Sequence, residues 1–197
     1  MPADHASSRI VALLRGINVG GRNKISMAEL RDLVAGLGFL DVATHLQSGN
    51  LVFSAPASEP RQAARAIEAA ITERLGMSIA VLALSGAELE RVVRAHPLRE
   101  IATNPSRLLV VFLSTPVDRA LLGDVDEQQF APDRFVVGER EIYVWAPRGV
   151  SETKLTHAFW EKRLAGVSAT ARNWNTVERL LTMVKAAEPA SGQPPSR

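Results

Sequence analysis

Arg15, Arg22 and Lys24 stand within ten residues of one another with no acid between them, interleaved with Gly16, Gly20, Gly21, Asn18 and Asn23. Cations set among glycine amides just before a helix are suited to anion capture. Orphan N–H groups and the positive end of the helix dipole both favour negative charge there. Gly16 and Gly21 have the G-x-x-x-x-G spacing of a phosphate loop. Arg22-Asn23, however, occupies the place where Lys followed by Ser or Thr must reach phosphate and magnesium, so a P-loop is excluded. The G-x-G-x-x-G dinucleotide spacing is absent as well, and no cofactor is expected. The plainer alternative is a tight strand-to-helix connection whose glycines only supply positive φ.

A second polar and cationic group comprises Arg148, Lys154, Arg172, Asn173 and Trp174. Its plain alternative is a helix cap beside a core Trp. The four His residues, His5, His45, His96 and His157, show no i, i+4 pairing with one another, so no metal site is expected. There is no Cys, no G-x-S-x-G elbow, and no acid in either group beyond the helix-capping Glu29, Glu152 and Glu178. General acid–base catalysis has no evident agent.

The elements that position these residues follow from apolar spacing and caps. Ile10 to Leu14 reads as a covered strand. Ser26 and Glu29 form a capping box, with Ile25 and Leu30 at the staple positions. Leu30, Leu33, Val34 and Leu37 share one helical face, and Gly38 ends that helix. Val42 to Leu46 and Leu51 to Phe53 are strands joined by the Ser48-Gly49-Asn50 turn. A helix capped by Ser58 carries Ala64, Ile67, Ile71 and Leu75 to Gly76, and Ile79 to Leu84 is a fourth strand. The order βαββαβ is that of a ferredoxin-like unit. Such a unit places the loop Arg15 to Lys24 and the hairpin Gln47, Ser48 and Asn50 at one sheet end.

A third helix starts at the Ser85–Glu88 box and stops at Pro97. The pattern then recurs. Leu108 to Leu113 is a strand, Thr115 caps a short helix, and Arg134 to Val137 and Ile142 to Ala146 flank a Gly138 turn. A helix lies near Glu152 to Leu164, a short strand near Ser168 to Arg172, and a last helix, capped by Asn175, spans Thr176 to Ala187. The expected fold class is α+β, with two ferredoxin-like halves. Residues 1–8 and 188–197 are expected to be disordered tails, 9–85 the first half, 86–106 a connector, and 107–187 the second half with its final helix. Tyr143 and Trp145 share one strand face, which is either a base-stacking platform or a covered surface.

Composition narrows the function classes. The chain has 197 residues, 46% hydrophobic, a net charge of +2 and a pI near 9.4. With no Cys and one Tyr, little titrates between neutrality and pH 10, so the pI overstates the basicity. Residues 1–85 hold 8 basic and 7 acidic side chains and the remainder 15 and 14, so any basic footprint is local. No apolar run reaches the length of a membrane span, and the five apolar residues after Arg9 are too few for a signal-peptide core. A cytoplasmic, monomeric protein is expected.

Four separated motifs occur in order: RGINVGG (Arg15 to Gly21), QSGN (Gln47 to Asn50), Thr153-Lys154-Leu155, and ARNWNTV (Ala171 to Val177). From about Arg9 to Ala187 the chain closely resembles the bacterial family called domain of unknown function 1697. The resemblance implies a two-part α+β fold of the ferredoxin type and no known activity. The family usually has Ser where Thr153 stands and an Asn-Pro-Phe-like stretch where this chain has His96-Pro97-Leu98. The residues together point to a binding protein for an anionic, phosphate-bearing small molecule or nucleotide. The expected ligand-binding set is Arg15, Asn18, Gly20, Gly21, Arg22, Lys24, Gln47, Ser48, Asn50, Lys154, Arg172, Asn173 and Trp174. One alternative is an enzyme acting on a phosphorylated or nucleotide metabolite by positioning and cationic electrostatics. A second is a nucleic-acid-binding module.

Overall fold

Alternating and unbroken apolar runs become eight strands, and capped stretches of period 3.6 become five helices among the described residues. The computed structural model describes residues 8–55, 59–123 and 125–186. The first sheet comprises β1 (Ser8–Leu14), β2 (Leu40–His45), β3 (Asn50–Ala55) and β4 (Val81–Ser85) in the order β2-β3-β1-β4. Helices α1 (Met27–Gly36) and α2 (Pro60–Leu75) cover its outer face. Residues 10, 12 and 14 of β1 meet Leu30, Leu33, Ile67 and Ile71 there, as the period-two alternation of a strand requires.

The second sheet repeats that order as β6-β7-β5-β8, from β5 (Leu108–Leu113), β6 (Arg134–Val137), β7 (Glu141–Trp145) and β8 (Ala169–Asn173). Every strand pairing is antiparallel. This is the two-sheet ferredoxin-like architecture that the βαββαβ spacing implies. The inner faces of both sheets share one core with α3 (Gly86–Ala95) and α5 (Trp174–Ala186). Val11, Leu13 and Val52 lie on one side of that core, and Val110, Phe112, Tyr143 and Trp145 on the other. The Tyr143 hydroxyl donates to Val92 O at 2.8 Å. Tyr143 and Trp145 are therefore interior residues, and the face that would stack bases is covered.

Local signals mark several boundaries. Ser26 caps α1, its Oγ accepting from Glu29 N at 3.1 Å, and Gly38 follows with φ 86°. Ser85 and Glu88 form a complete capping box on α3. Other boundaries differ from the sequence expectation. Ser58 lies outside the described residues; α2 begins at Pro60 after Glu59, which makes no side-chain cap.

Among the described residues no α-helix starts at Thr115. Val117 N donates to Glu139 O at 2.8 Å, which holds the segment extended along the β6–β7 hairpin. Asp118 and Asp126 then cap two separate 3-10 turns, Arg119–Leu122 and Glu127–Phe130. Both Asp side chains bond the amide two residues on, a local turn that competes with helix propagation. Helix α4 starts late, at His157, because Thr153 and Thr156 each take a backbone amide on their hydroxyls; its range is His157–Arg163. The last helix starts at Trp174 rather than Thr176, and Asn173 replaces Asn175 as the capping side chain, accepting from Asn175 N at 3.1 Å. Among the described residues no helix is long and apolar enough to cross a membrane.

Candidate anion-binding site

The loop after β1 owes its glycines and asparagines to its backbone. Gly16, Asn18, Gly20, Gly21 and Asn23 all have positive φ, between 48° and 77°, a region that β-branched and bulky side chains avoid. Asn18 ties the loop together. Its Nδ2 donates to Ile25 O at 2.9 Å and to Gln47 O at 2.8 Å, and its Oδ1 accepts from Ile25 N at 3.0 Å. Asn23 Nδ2 donates to Gly16 O at 3.2 Å. The loop and the 47–50 hairpin are thus in contact, and Leu14 N reaches Gly49 O at 2.8 Å. Gly49 is fixed by space as well as by its φ of 72°, since a Cβ there would sit 2.6 Å from Leu14 Cβ. Plain backbone geometry therefore accounts for the glycine content. It does not account for the cations.

The cations separate into two kinds. Arg172, on β8, is buried and aimed between the sheets. Its Nε donates to Asn50 Oδ1; Nη1 donates to Thr170 Oγ1 at 2.7 Å and Ala171 O at 2.9 Å. Nη2 reaches Leu14 O at 2.7 Å, Ser48 O at 3.2 Å and Gly49 O at 3.4 Å. All five N–H donors are used, and every acceptor is neutral. Burial brings its pKa down to about 10, so it stays charged at neutral pH. Asn50 is equally committed, with Nδ2 on His45 O and Ser48 Oγ. Arg172, Asn50 and the Ser48 carbonyl fasten the second sheet to the hairpin of the first and have no group left for a ligand.

Trp174 is buried against His96, ring centroids 4.4 Å apart, and Asn173 Nδ2 donates to Ser106 O at 2.7 Å. Lys154 lies apart, with Arg148, Asp133 and Glu152 around a cavity of about 170 Å³. Arg15 makes a 2.7 Å ion pair with Glu161 of α4. The expected single wall therefore divides, with the interior part structural and the remainder facing solvent.

The solvent-facing part is an open depression of about 450 Å³ lined by Asn18, Gly21, Lys24, Ile25, Ser26 and Gln47. Arg22 and Lys24 are exposed and form no ion pair with any described residue. The first-turn amides of α1 open beside them, with Glu29 N already taken by Ser26 Oγ. Arg22, Gly20 and Gly21 stand at the loop's tip, where Arg22 N closes a turn onto Val19 O at 3.2 Å.

Sequence spacing misses one arrangement. His157, at the start of α4, is half-buried within the influence of Arg15, Glu161 and Arg172. Its pKa is lowered, chiefly by burial and then by Arg15, with Glu161 opposing. His157 and Glu161 are one helical turn apart, but Arg15 joins them only through the fold. Among the described residues no group of three or more His, Asp and Glu converges as a metal site would.

Two antiparallel four-stranded sheets of the ferredoxin type, sharing a core through α3 and α5, define a two-sheet α+β protein with a cationic strand-to-helix loop at one end. Residues 8–143 match the family described as Protein of unknown function (DUF1697), and the chain belongs to that family. No curated protein sequence matches it significantly. Among solved structures it is similar to the conserved bacterial protein SP0830 from Streptococcus pneumoniae. The two are 24% identical with a TM-score of 0.73, covering 91% of this chain and 99% of that one. At that identity the likeness concerns the fold.

Proposed function

We propose that the protein is a cytoplasmic, monomeric binding protein for an anionic, phosphate-bearing ligand, held in the depression beside the 15–24 loop. Lys24 and Arg22 supply charge, Gly20, Gly21 and the first turn of α1 supply amides, and Gln47 supplies a polar rim. The observation that carries the reading is the unpaired state of Lys24, which lines that depression, and of Arg22 in the same loop, whereas Arg15 and Arg172 have found partners. A cation with no internal role beside open amides is suited to oxyanions. The test is a thermal-shift screen over nucleotides, sugar phosphates, polyanions and short RNA, since a ligand bound only by the native state raises its melting temperature. A phosphate-bearing compound is expected to do so, and R22A/K24A is expected to remove the shift. A shift that survives the double change overturns the reading.

The arrangement of Arg15, Glu161 and His157 favours a second reading, an enzyme acting on a phosphorylated metabolite. There His157 would handle a proton and Arg15 would bear on developing charge. Turnover of phosphate esters or nucleotides that is lost in His157→Gln supports this reading, and binding without turnover supports the first.

A further inference from the structure

The edge strand β4 carries a second feature, on surface that shares no residue with the loop. In the β1–β4 register the amides of Val81, Ala83 and Ser85 point away from β1. The outer two are occupied by carboxylates. Val81 N donates to Glu68 Oε1 at 2.8 Å, and Ser85 N donates to Glu88 Oε2 at 2.7 Å. Between them, the outward N–H and C=O of Ala83 meet no described residue, although Ala83 is only 5% exposed. Buried backbone groups of this kind are nearly always paired.

Ala83 opens onto a cleft of about 260 Å³ that also receives Arg61, Arg65, Glu68, Ser114, Thr115 and Arg140. Arg61 and Arg65 are exposed, one helical turn apart on α2, and have no ion pair among the described residues. Arg140 comes from the second sheet. It is held by Glu88 at 3.0 Å and reaches Ser114 O at 3.4 Å, while its Nε is buried with no partner. Glu68, the one acid in the cleft wall, is already engaged by Val81 N. Three guanidinium groups therefore line a cleft that holds one carboxylate, with one of its oxygens taken by Val81 N, and an unused amide.

We infer that this cleft is a binding site for a small oxyanion, a carboxylate or a phosphate group, with the Ala83 amide as directional donor and Arg61 and Arg65 as the charge. Arginine in pairs suits both anions because its planar fork matches two oxygens at once. The carboxylate caps on Val81 N and Ser85 N leave Ala83 N–H as the one free outward amide of β4 among the described residues, which suits a compact anion and hinders an added strand.

Backbone amide NMR on the full chain tests the inference, with titrations of inorganic phosphate in one arm and succinate in the other. The Ala83 amide resonance is expected to shift saturably in at least one arm, and the arm that responds names the anion. In R61Q/R65Q, whose changes are at exposed positions, affinity is expected to fall by about tenfold or more; an unchanged melting temperature shows that fold is retained. In R22A/K24A the shift is expected to persist. An Ala83 resonance that moves in neither arm overturns the inference. So does a shift that survives R61Q/R65Q, or one abolished by R22A/K24A.

Discussion

Arg172 and the pair Arg22 and Lys24 come from the same kind of sequence, short motifs of cations, asparagines and small residues, yet the fold uses them in opposite ways. Arg172 gives up solvent and spends every donor on neutral oxygens of Leu14, Ser48, Gly49, Asn50, Thr170 and Ala171. The side chains of Arg22 and Lys24 keep solvent and bond to nothing described. Residue type does not distinguish a cation that secures an interface from one left to solvent. The number of internal acceptors in reach distinguishes them, and that number is a property of the assembled sheets.

The sharpest way to break the comparison is to remove the buried member. Arg172→Ala is expected to cost about 3 kcal/mol or more, since it strands several buried carbonyls and Asn50 Oδ1, and denaturant midpoints measure the loss. Arg172→Lys is expected to rescue little, because an ammonium cannot serve that spread of acceptors. If either variant is as stable as the parent, the interior bonds carry no weight and the contrast fails. Next in size, Gly49→Ala is expected to cost about 1–3 kcal/mol, from a left-handed φ and overlap with Leu14 and Ile17.

Acid has a smaller effect of defined sign. His45, His96 and His157 all have folded pKa values below the ordinary 6.5, chiefly from burial. The unfolded chain therefore binds more protons. Stability is full above 6.5, falls as the pH drops through that value, and levels once the folded groups also titrate. Unfolding midpoints at pH 7.5, 6.5 and 5.5 measure the slope, and His96→Gln should flatten it. The smallest effect on stability belongs to R22A/K24A, within about 0.5 kcal/mol. A larger loss in that variant would show that the loop's cations are structural after all.

Much of the architecture is legible in the sequence because it is written locally. Ser26 with Glu29 and Ser85 with Glu88 announce two helix starts, and Gly38 marks the end of the first helix; each signal lies within a turn of what it controls. The Thr115 stretch misleads because Pro116 can start a helix, whereas the Asp118 and Asp126 side chains close separate turns and Val117 is drawn to the hairpin. The Asn175 cap is misplaced by two residues because β8 runs directly into α5 and leaves the cap to Asn173. For the site, topology brings loop 15–24 and hairpin 47–50 together legibly. The fates of Arg15, Asn50, Arg172 and Trp174 are not legible, since Glu161, the hairpin carbonyls and His96 reach them only across the shared core. Ala83 is invisible for the same reason, being an unremarkable residue until its strand becomes an edge.

The Arg172 contacts also set an order on folding. The bond from Arg172 to Leu14 O closes a span of 158 residues, and that to Asn50 a span of 122. Closing such loops carries a large entropic cost and rewards the chain only when all acceptors are already in place. Those acceptors belong to β1 and the 47–50 hairpin, which pair within the first 55 residues. During synthesis the first sheet is expected to form around its own helices and to present these acceptors before β8 is complete. The last strand then inserts its guanidinium, which makes this contact the closing latch of assembly rather than its seed.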